Sequence, residues 1–330
     1  MNRGSILVTG GAGYIGSHAA LLLRGRGERV VVLDDLSRGF RQAVLDAPLI
    51  VGKVGNRDAV LALLREHGVD TVMHFAAHTI VPESVSEPLK YYANNSCATR
   101  TLLECCTLAG VRYFVFSSTA AVYGIPSDGF AAETTPTAPI NPYGTSKLMS
   151  EWMLRDIAAA SALRYVALRY FNVAGADSEG RIGQATREAT LLVKVACEAA
   201  VGKRKEISIF GTDYPTPDGT GVRDYLHVED LAAAHLDALA YLRAGGPSAT
   251  LNVGYGHGYS VREVLAAVER ISGRRLAVRE QARRPGDPPG LIARAERIRR
   301  ELGWQPRLDD LDTIVLSALR WEERLLREPW

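Results

Sequence analysis

Val8-Thr-Gly-Gly-Ala-Gly-Tyr-Ile-Gly16 follows the apolar run that starts at Ser5 and leads into a helical pattern near Ile15–Arg24. Gly11, Gly13 and Gly16 satisfy G-x-G-x-x-G, and Gly10, Gly13 and Gly16 satisfy G-x-x-G-x-x-G. A strand before and a helix after are the context this pattern requires. The glycines permit a tight turn and let a pyrophosphate approach the free N–H groups of the helix N-terminus. Gly10, Gly13, Tyr14, Ile15 and Gly16 are therefore candidate cofactor ligands. Eighteen residues past Gly16, Asp34 closes the next apolar run, with Asp35 after it. A carboxylate there accepts both hydroxyls of an adenine ribose and repels a 2′-phosphate, which favours NAD over NADP. Arg38 is the nearby cation that leaves the distinction open.

Outward from this turn, short β-branched runs alternate with helical patterns, the signature of a parallel sheet covered by helices. Strands are expected at Ser5–Thr9, Val30–Asp34, Leu49–Val51, Thr71–Phe75, Tyr113–Ser117 and Tyr165–Tyr170. Helices are expected near Asp58–His67, Leu89–Ala109 and Pro142–Ala160. Past Tyr170 the chain is richer in Gly, Pro and Asp, with helices near Ala189–Val201 and Val261–Ser272. Runs at Glu206–Phe210 and Leu251–Val253 read as strands. The fold class is α/β: a Rossmann-type doubly wound parallel sheet with a smaller C-terminal α/β substrate-binding lobe. The expected division is 1–175 for the NAD-binding domain and 176–330 for the lobe, with segments around 223–254 returning to the first.

Length and composition agree. The 330 residues suffice for a large core, and 47% hydrophobic with 23% charged residues is ordinary for a globular protein. A net charge of +2 argues against a polyanion-binding surface, so no nucleic-acid partner is expected. Cys97, Cys105, Cys106 and Cys197 have no metal-like spacing and read as free thiols. No signal peptide fits the N-terminus and no apolar run approaches membrane-spanning length. A cytoplasmic protein with no metal and no membrane partner is expected.

Chemistry enters at Tyr143-Gly-Thr-Ser-Lys147. The chain uses 33 arginines against 6 lysines, so a lysine is not its habitual cation. Asn141 is a good N-cap and Pro142 suits the first helical position. Residues i and i+4 share a helix face, so Tyr143 and Lys147 point the same way. Lowering a tyrosine pKa by about 3 units takes about 4 kcal/mol of differential stabilisation of the phenolate. An ammonium and a positive nicotinamide ring in a dry site suit that task. Ser117-Ser118-Thr119 ends a strand at the sheet edge where α/β ligands sit, and Thr119 offers a hydroxyl beside Tyr143. His18 and His74 read as packing or hydrogen-bonding residues.

These motifs resemble the extended short-chain dehydrogenase/reductase superfamily and, within it, the UDP-glucose (UDP-galactose) 4-epimerase family. The resemblance runs nearly end to end, through His74-Phe-Ala-Ala77, Glu83-Ser84, Phe116-Ser-Ser-Thr119, Val122-Tyr-Gly124, Asn141–Lys147 and Arg169-Tyr-Phe-Asn-Val-Ala-Gly175 to Glu301-Leu-Gly-Trp304. Its most specific stretch is Phe210-Gly-Thr-Asp-Tyr-Pro-Thr-Pro-Asp-Gly-Thr-Gly-Val-Arg-Asp-Tyr-Leu-His-Val-Glu-Asp230. The resemblance implies NAD-dependent inversion at C4 of a UDP-hexose through a 4-keto intermediate. Tyr143 is then the acid/base, Lys147 its pKa-lowering neighbour and ribose ligand, and Thr119 the hydroxyl that positions the sugar. It further implies Phe75, Ala76, Asn94, Ser117 and Tyr170 at the cofactor. Asn172 and Leu192 fall at the nucleotide-sugar, Phe210 at the uracil, Arg223 and Arg284 at the phosphates, and Asp287 at the uridine ribose. A homodimer through helices 89–109 and 142–160 is likewise implied.

Departures from the family pattern mark open points. Thr119 stands where serine is common and keeps the hydroxyl. Lys53 replaces an aspartate expected at the adenine, and Leu191 and Lys194 replace a polar residue and a proline near the nucleotide. Leu291 occupies a pocket-size position where tyrosine favours plain hexoses and a small residue admits N-acetyl groups. A 4-epimerase of UDP-N-acetylhexosamines or UDP-pentoses is thus the main alternative. A 4,6-dehydratase needs proton-transferring residues after the active-site threonine, where this chain has Ala120-Ala121. A non-catalytic NAD-sensing regulator would need the glycine turn without the Tyr143–Lys147 pair.

Overall fold

The computed structural model describes residues 4–187, 189–284 and 286–330. Seven parallel strands form one sheet in the order Ala249–Val253, Arg164–Tyr170, Tyr113–Ser117, Val69–His74, Ser5–Thr9, Val30–Asp34, Leu49–Val51. The chain winds outward in both directions from Ser5–Thr9, so the order reverses between Ser5–Thr9 and Val69–His74. In such sheets ligands bind beyond the strand C-termini at this reversal.

Alternate side chains explain why the strands read as continuous apolar runs: both faces are buried. Ile6, Val8, Val32, Met73, Val115, Val166 and Leu251 join one core with helices Tyr14–Gly25 and Val228–Arg243. Leu7, Leu33, Val72, Phe114, Phe116 and Ala167 join the other with helices Arg57–Glu66 and Ala98–Ala109. Helices Leu192–Ala200, Val261–Ser272 and Leu311–Arg327 pack together beyond the sheet. They accompany a four-stranded sheet in the order Tyr259–Ser260, Val222–Arg223, Gly290–Ala293, Phe130–Ala131. Among the described residues no helix is long and apolar enough to cross a membrane.

One expected helix is not continuous. Instead of an α-helix over 89–109, the chain forms Pro88–Tyr91, a π-helical stretch Tyr92–Cys97 and then Ala98–Ala109. Asn95 explains the extra residue in this turn: its side chain accepts from the His78 N–H at 2.8 Å and donates to the His78 carbonyl at 3.0 Å and to Ser146 Oγ at 3.0 Å. Widened turns of this kind gather at functional sites, and here Asn94 faces the cleft described below. Helix Leu192–Ala200 begins later than expected. Helices Val228–Arg243, Glu296–Leu302 and Leu311–Arg327 add to the elements expected from sequence.

Candidate active site

A cleft of about 1030 Å³ opens at the sheet reversal. At its floor Gly10 has φ +69°, and a Cβ there would sit 2.5 Å from the Ala76 nitrogen. A Cβ on Gly16 would lie 2.3 Å from the Gly10 carbonyl oxygen. These two glycines therefore serve the close approach of chain to chain. Gly13 differs: a Cβ there would meet only the Gly10 oxygen, at 3.2 Å, and would otherwise extend into the cleft. Gly13 also caps helix Tyr14–Gly25, whose N-terminus has no side-chain cap among the described residues. A cradle that a Cβ would fill, at an uncapped helix N-terminus, fits the pyrophosphate of a dinucleotide.

Asp34 meets the same cleft at the end of its strand. Its carboxylate accepts from the Ala12 N–H at 3.0 Å and the Leu36 N–H at 2.8 Å. Burial raises its pKa, and those two bonds oppose the rise. Arg38 is not free beside it: the guanidinium pairs with Glu83 at 3.0 Å, and Glu83 also takes Lys90 at 2.8 Å and the Tyr91 hydroxyl at 2.8 Å. Tyr14, Ile15, Asp35, Lys53, Phe75, Ala76, Asn94, Ser117 and Tyr170 also line the cleft. The Tyr14 hydroxyl donates to the Gly175 carbonyl at 2.6 Å, and the Tyr170 and Ser117 hydroxyls meet at 2.8 Å.

Tyr143 and Lys147 project from helix Pro142–Ala160, whose N-cap Asn141 accepts from the Gly144 N–H at 2.9 Å. A Cβ on Gly144 would lie 2.6 Å from the Ala121 carbonyl, so the helix sits directly on the turn that follows Thr119. Tyr143 and Thr119 thus line the same cleft, and the Thr119 hydroxyl also accepts from the Ala121 N–H at 3.1 Å. Lys147 lies behind the lining, donating to the Ser117 carbonyl at 2.8 Å with its ammonium 4.9 Å from the centre of the Phe116 ring. Burial pushes the lysine down to about 7, opposed by the Glu151 carboxylate. Burial also raises the Tyr143 phenol, opposed by the Thr119 hydrogen bond. The protein's own groups thus favour the neutral phenol; the lowered value expected from sequence belongs to a site that also holds the positive nicotinamide ring.

Asn172, Leu191 and Leu291 line the cleft together with Thr119 and Tyr143. Among the described residues that lining excludes Leu192, Phe210, Arg223, Arg284 and Asp287. Leu192 is half-buried at the start of its helix, and its neighbour Leu191 takes the wall position. Arg284 lies over the Phe210 ring, 3.6 Å from its centre. Arg223 donates to the Val222 carbonyl at 2.9 Å, and the Asp287 N–H to the Arg284 carbonyl at 3.3 Å. Lys194 is not part of the wall: it is buried, paired with Glu322 and, at 3.4 Å, with Glu198. His18 and His74 are buried and hydrogen-bonded, the latter to Thr9 and Thr99 at 2.6 and 2.8 Å. No group of His, Cys, Asp or Glu among the described residues is placed to hold a metal, and the four cysteines are free thiols.

Sequence reasoning missed Glu151. It lies four residues past Lys147 on the same face, buried against Arg169, and the i, i+4 spacing that linked Tyr143 to Lys147 continues to it.

The sequence profile of the NAD dependent epimerase/dehydratase family matches residues 6–254. The UDP-glucose 4-epimerase of Azospirillum brasilense is 57% identical over 321 residues, covering 97% of this chain and 92% of that protein. The crystal structure of UDP-glucose 4-epimerase from Brucella ovis in complex with NAD superimposes with a TM-score of 0.94 at 43% identity, covering 97% of this chain and 99% of that one. The UDP-Glc/GlcNAc 4-epimerase from Campylobacter jejuni superimposes with a TM-score of 0.86 at 47% identity, covering 98% and 100%.

Proposed function

The chain belongs to the NAD dependent epimerase/dehydratase family, and we propose that its cleft interconverts UDP-glucose and UDP-galactose by reversible oxidation at C4. The observation that carries this reading is that Thr119 and Tyr143 face one glycine-turn cleft together, with Lys147 anchored behind them. Bound NAD supplies the acceptor and donor of the C4 hydride. Gly13 would leave room for its pyrophosphate on the turn that Gly10 and Gly16 make possible, and Asp34 would take the adenine ribose. With Arg38 held by Glu83, the cation that left NADP open is engaged elsewhere.

Thr119 orients the sugar 4-hydroxyl toward Tyr143, which accepts its proton as the hydride leaves C4. Lys147, on the same helix face, would stabilise the phenolate together with the positive charge that the cofactor ring would supply. Asn172, Phe210, Arg223, Arg284 and Asp287 hold the UDP while the 4-keto sugar presents its opposite face. Tyr143 then gives its proton back to O4 and ends as it began. Ala120 and Ala121 transfer no protons, so water elimination does not follow. Leu291 and Leu191 set the room beside the sugar, which makes the acetamido sugars the competing substrates.

The exposed Leu89, Leu108, Met149 and Trp152 on three neighbouring helices support a homodimer, and the four free thiols suit a reducing cytoplasm. Incubation with UDP-galactose, UDP-N-acetylgalactosamine and UDP-arabinose in separate reactions tests the reading. UDP-glucose forms from the first, and Tyr143→Phe abolishes it. Conversion of only the acetamido or pentose sugar overturns the hexose assignment.

A further inference from the structure

Tyr143, Lys147 and Glu151 form a ladder at four-residue spacing on helix Pro142–Ala160, and each rung meets one of three consecutive residues at the end of strand Tyr113–Ser117. Tyr143 lines the cleft with Thr119, Lys147 donates to the Ser117 carbonyl at 2.8 Å, and Glu151 accepts from the Ser118 hydroxyl at 2.5 Å. The third rung is itself held. Arg169 Nε donates to Glu151 Oε1 at 3.0 Å and its terminal nitrogen to Oε2 at 2.6 Å, with side-chain exposures of 9% and 6%. Arg169 also donates to the Tyr123 hydroxyl at 3.0 Å, and that hydroxyl donates to Asn252 Oδ1 at 2.7 Å. The network thus ties the helix to two more strands of the sheet.

We propose that Glu151, fixed by Arg169, is a positioning residue for the epimerisation: it clamps the strand end that presents Ser117 and Thr119, and its negative charge holds the buried Lys147 in the ammonium form. The inference rests on the function proposed above. A carboxylate without catalytic contact has two reasons to be buried here. One is geometric, because the Ser118 bond fixes the residue between the two that hold Lys147 and Tyr143. The other is electrostatic. Lys147 is wholly buried, and Glu151 is the charge that opposes its deprotonation. The other titratable or charged groups around the ladder are Tyr143 and Arg155 on the same helix, His74 on a neighbouring strand, Tyr165, Arg169 and Tyr170 on strand Arg164–Tyr170, and Tyr123 on the turn after Thr119. His74 is neutral because burial carries it down to about 3. Glu151 is therefore the charge that bears on the lysine, and Arg169 is its partner.

Glu151→Gln keeps the shape and removes the charge. The expected result is unchanged NAD content and UDP affinity, a fall in kcat with little change in KM, and a high-pH limb of kcat displaced downward by about one unit or more. The double variant Glu151→Gln with Arg169→Gln leaves no unpaired buried cation, which a protein tolerates better than half a pair. Its limb falls between those of the single variant and the wild type, and it serves alone if the single variant does not fold. A folded single or double variant whose limb coincides with that of the wild type overturns the proposal. Wild-type enzyme that converts none of the UDP-sugars overturns the function reading instead, so the two failures are distinct.

Discussion

The guanidinium of Arg284 lies across the face of Phe210, 3.6 Å from the ring centre. The two residues assigned to the diphosphate and the uracil therefore occupy each other. Uracil reaches the Phe210 face only when Arg284 swings away, and a diphosphate gives the arginine somewhere to go. A cation–π contact is worth about 0.5–1 kcal/mol when exposed and about 2 when desolvated, against about 1.5–3 for each hydrogen bond to a charged group, so a diphosphate that takes two such bonds should draw the arginine off the ring.

Arg284→Met should weaken UDP by about 10- to 100-fold in titration calorimetry. Uridine, which has no phosphate, should bind as well as to wild type or better, because the ring face is uncovered. Equal weakening of both ligands would remove Arg284 from the phosphate.

The glycine turn predicts a split between two alanine substitutions. Gly13→Ala places its methyl in the cradle, meeting only the Gly10 oxygen at 3.2 Å. It should fold with a nearly unchanged Tm in the absence of added nucleotide and purify without NAD. Gly16→Ala places a methyl 2.3 Å from that oxygen and 2.9 Å from the Gly10 carbonyl carbon, so backbone must move. A loss of about 1–3 kcal/mol follows from such overpacking. Thermal melts and NAD absorbance of the two proteins separate the effects, and a Gly13→Ala protein that retains NAD contradicts the cradle.

Acid should destabilise the folded chain through buried histidines. Burial lowers His18, His227 and His235 to about 4 and His74 to about 3, each from an ordinary value near 6.5. The folded state holds them neutral, while the unfolded chain takes up protons below 6.5. Their stabilisation is complete above pH 6.5 and is lost as pH falls toward 4, at up to about 1.4 kcal/mol per unit for each. His235 isolates the effect, since its Nε2 has no hydrogen-bond partner and its ring packs 4.7 Å from that of Phe75. Urea midpoints of His235→Met between pH 7 and 5 should fall less steeply than those of the wild type. Parallel slopes exclude this origin.

How far the sequence carries depends on the range of the physical cause. Ser5–Thr9, Val30–Asp34, Tyr113–Ser117 and Pro142–Ala160 have the bounds their local patterns imply, because a two-faced apolar run, an Asn cap and a Pro at the first turn act within a few residues. Asp34, Thr119 and Tyr143 were legible for the same reason, standing at strand ends or on a marked helix. Helix Leu311–Arg327 was not among the expected elements, although Asp310 as its cap and apolar residues at helical spacing mark it locally. Helix Val228–Arg243 was harder, since it is buried around much of its circumference and shows no clean apolar stripe. The π-turn at Tyr92–Cys97 depends on Asn95 reaching His78, and Glu151 takes its meaning from Arg169, 18 residues on. Such partners are set by the fold, so their pairing leaves no periodic trace. The neutral phenol of Tyr143 belongs with them, because burial is a property of the whole assembly.

Trp152 tests whether helix Pro142–Ala160 serves two purposes. Its inner face carries Tyr143, Lys147 and Glu151, all buried, whereas Trp152 is 48% exposed and Met149 36%. On the adjoining segment Leu89 is 80% and Leu108 49% exposed. A large aromatic side chain buries about 150–250 Å² when covered, enough to anchor an interface. Trp152→Glu places a charge where the proposed partner packs and should convert a dimer to a monomer in light scattering. NAD content should remain, because the cofactor cradle lies on other elements. If the mass of the variant matches that of a wild-type dimer, the interface lies elsewhere. If the monomer forms with reduced kcat, pairing of the helices helps to hold the catalytic face in place.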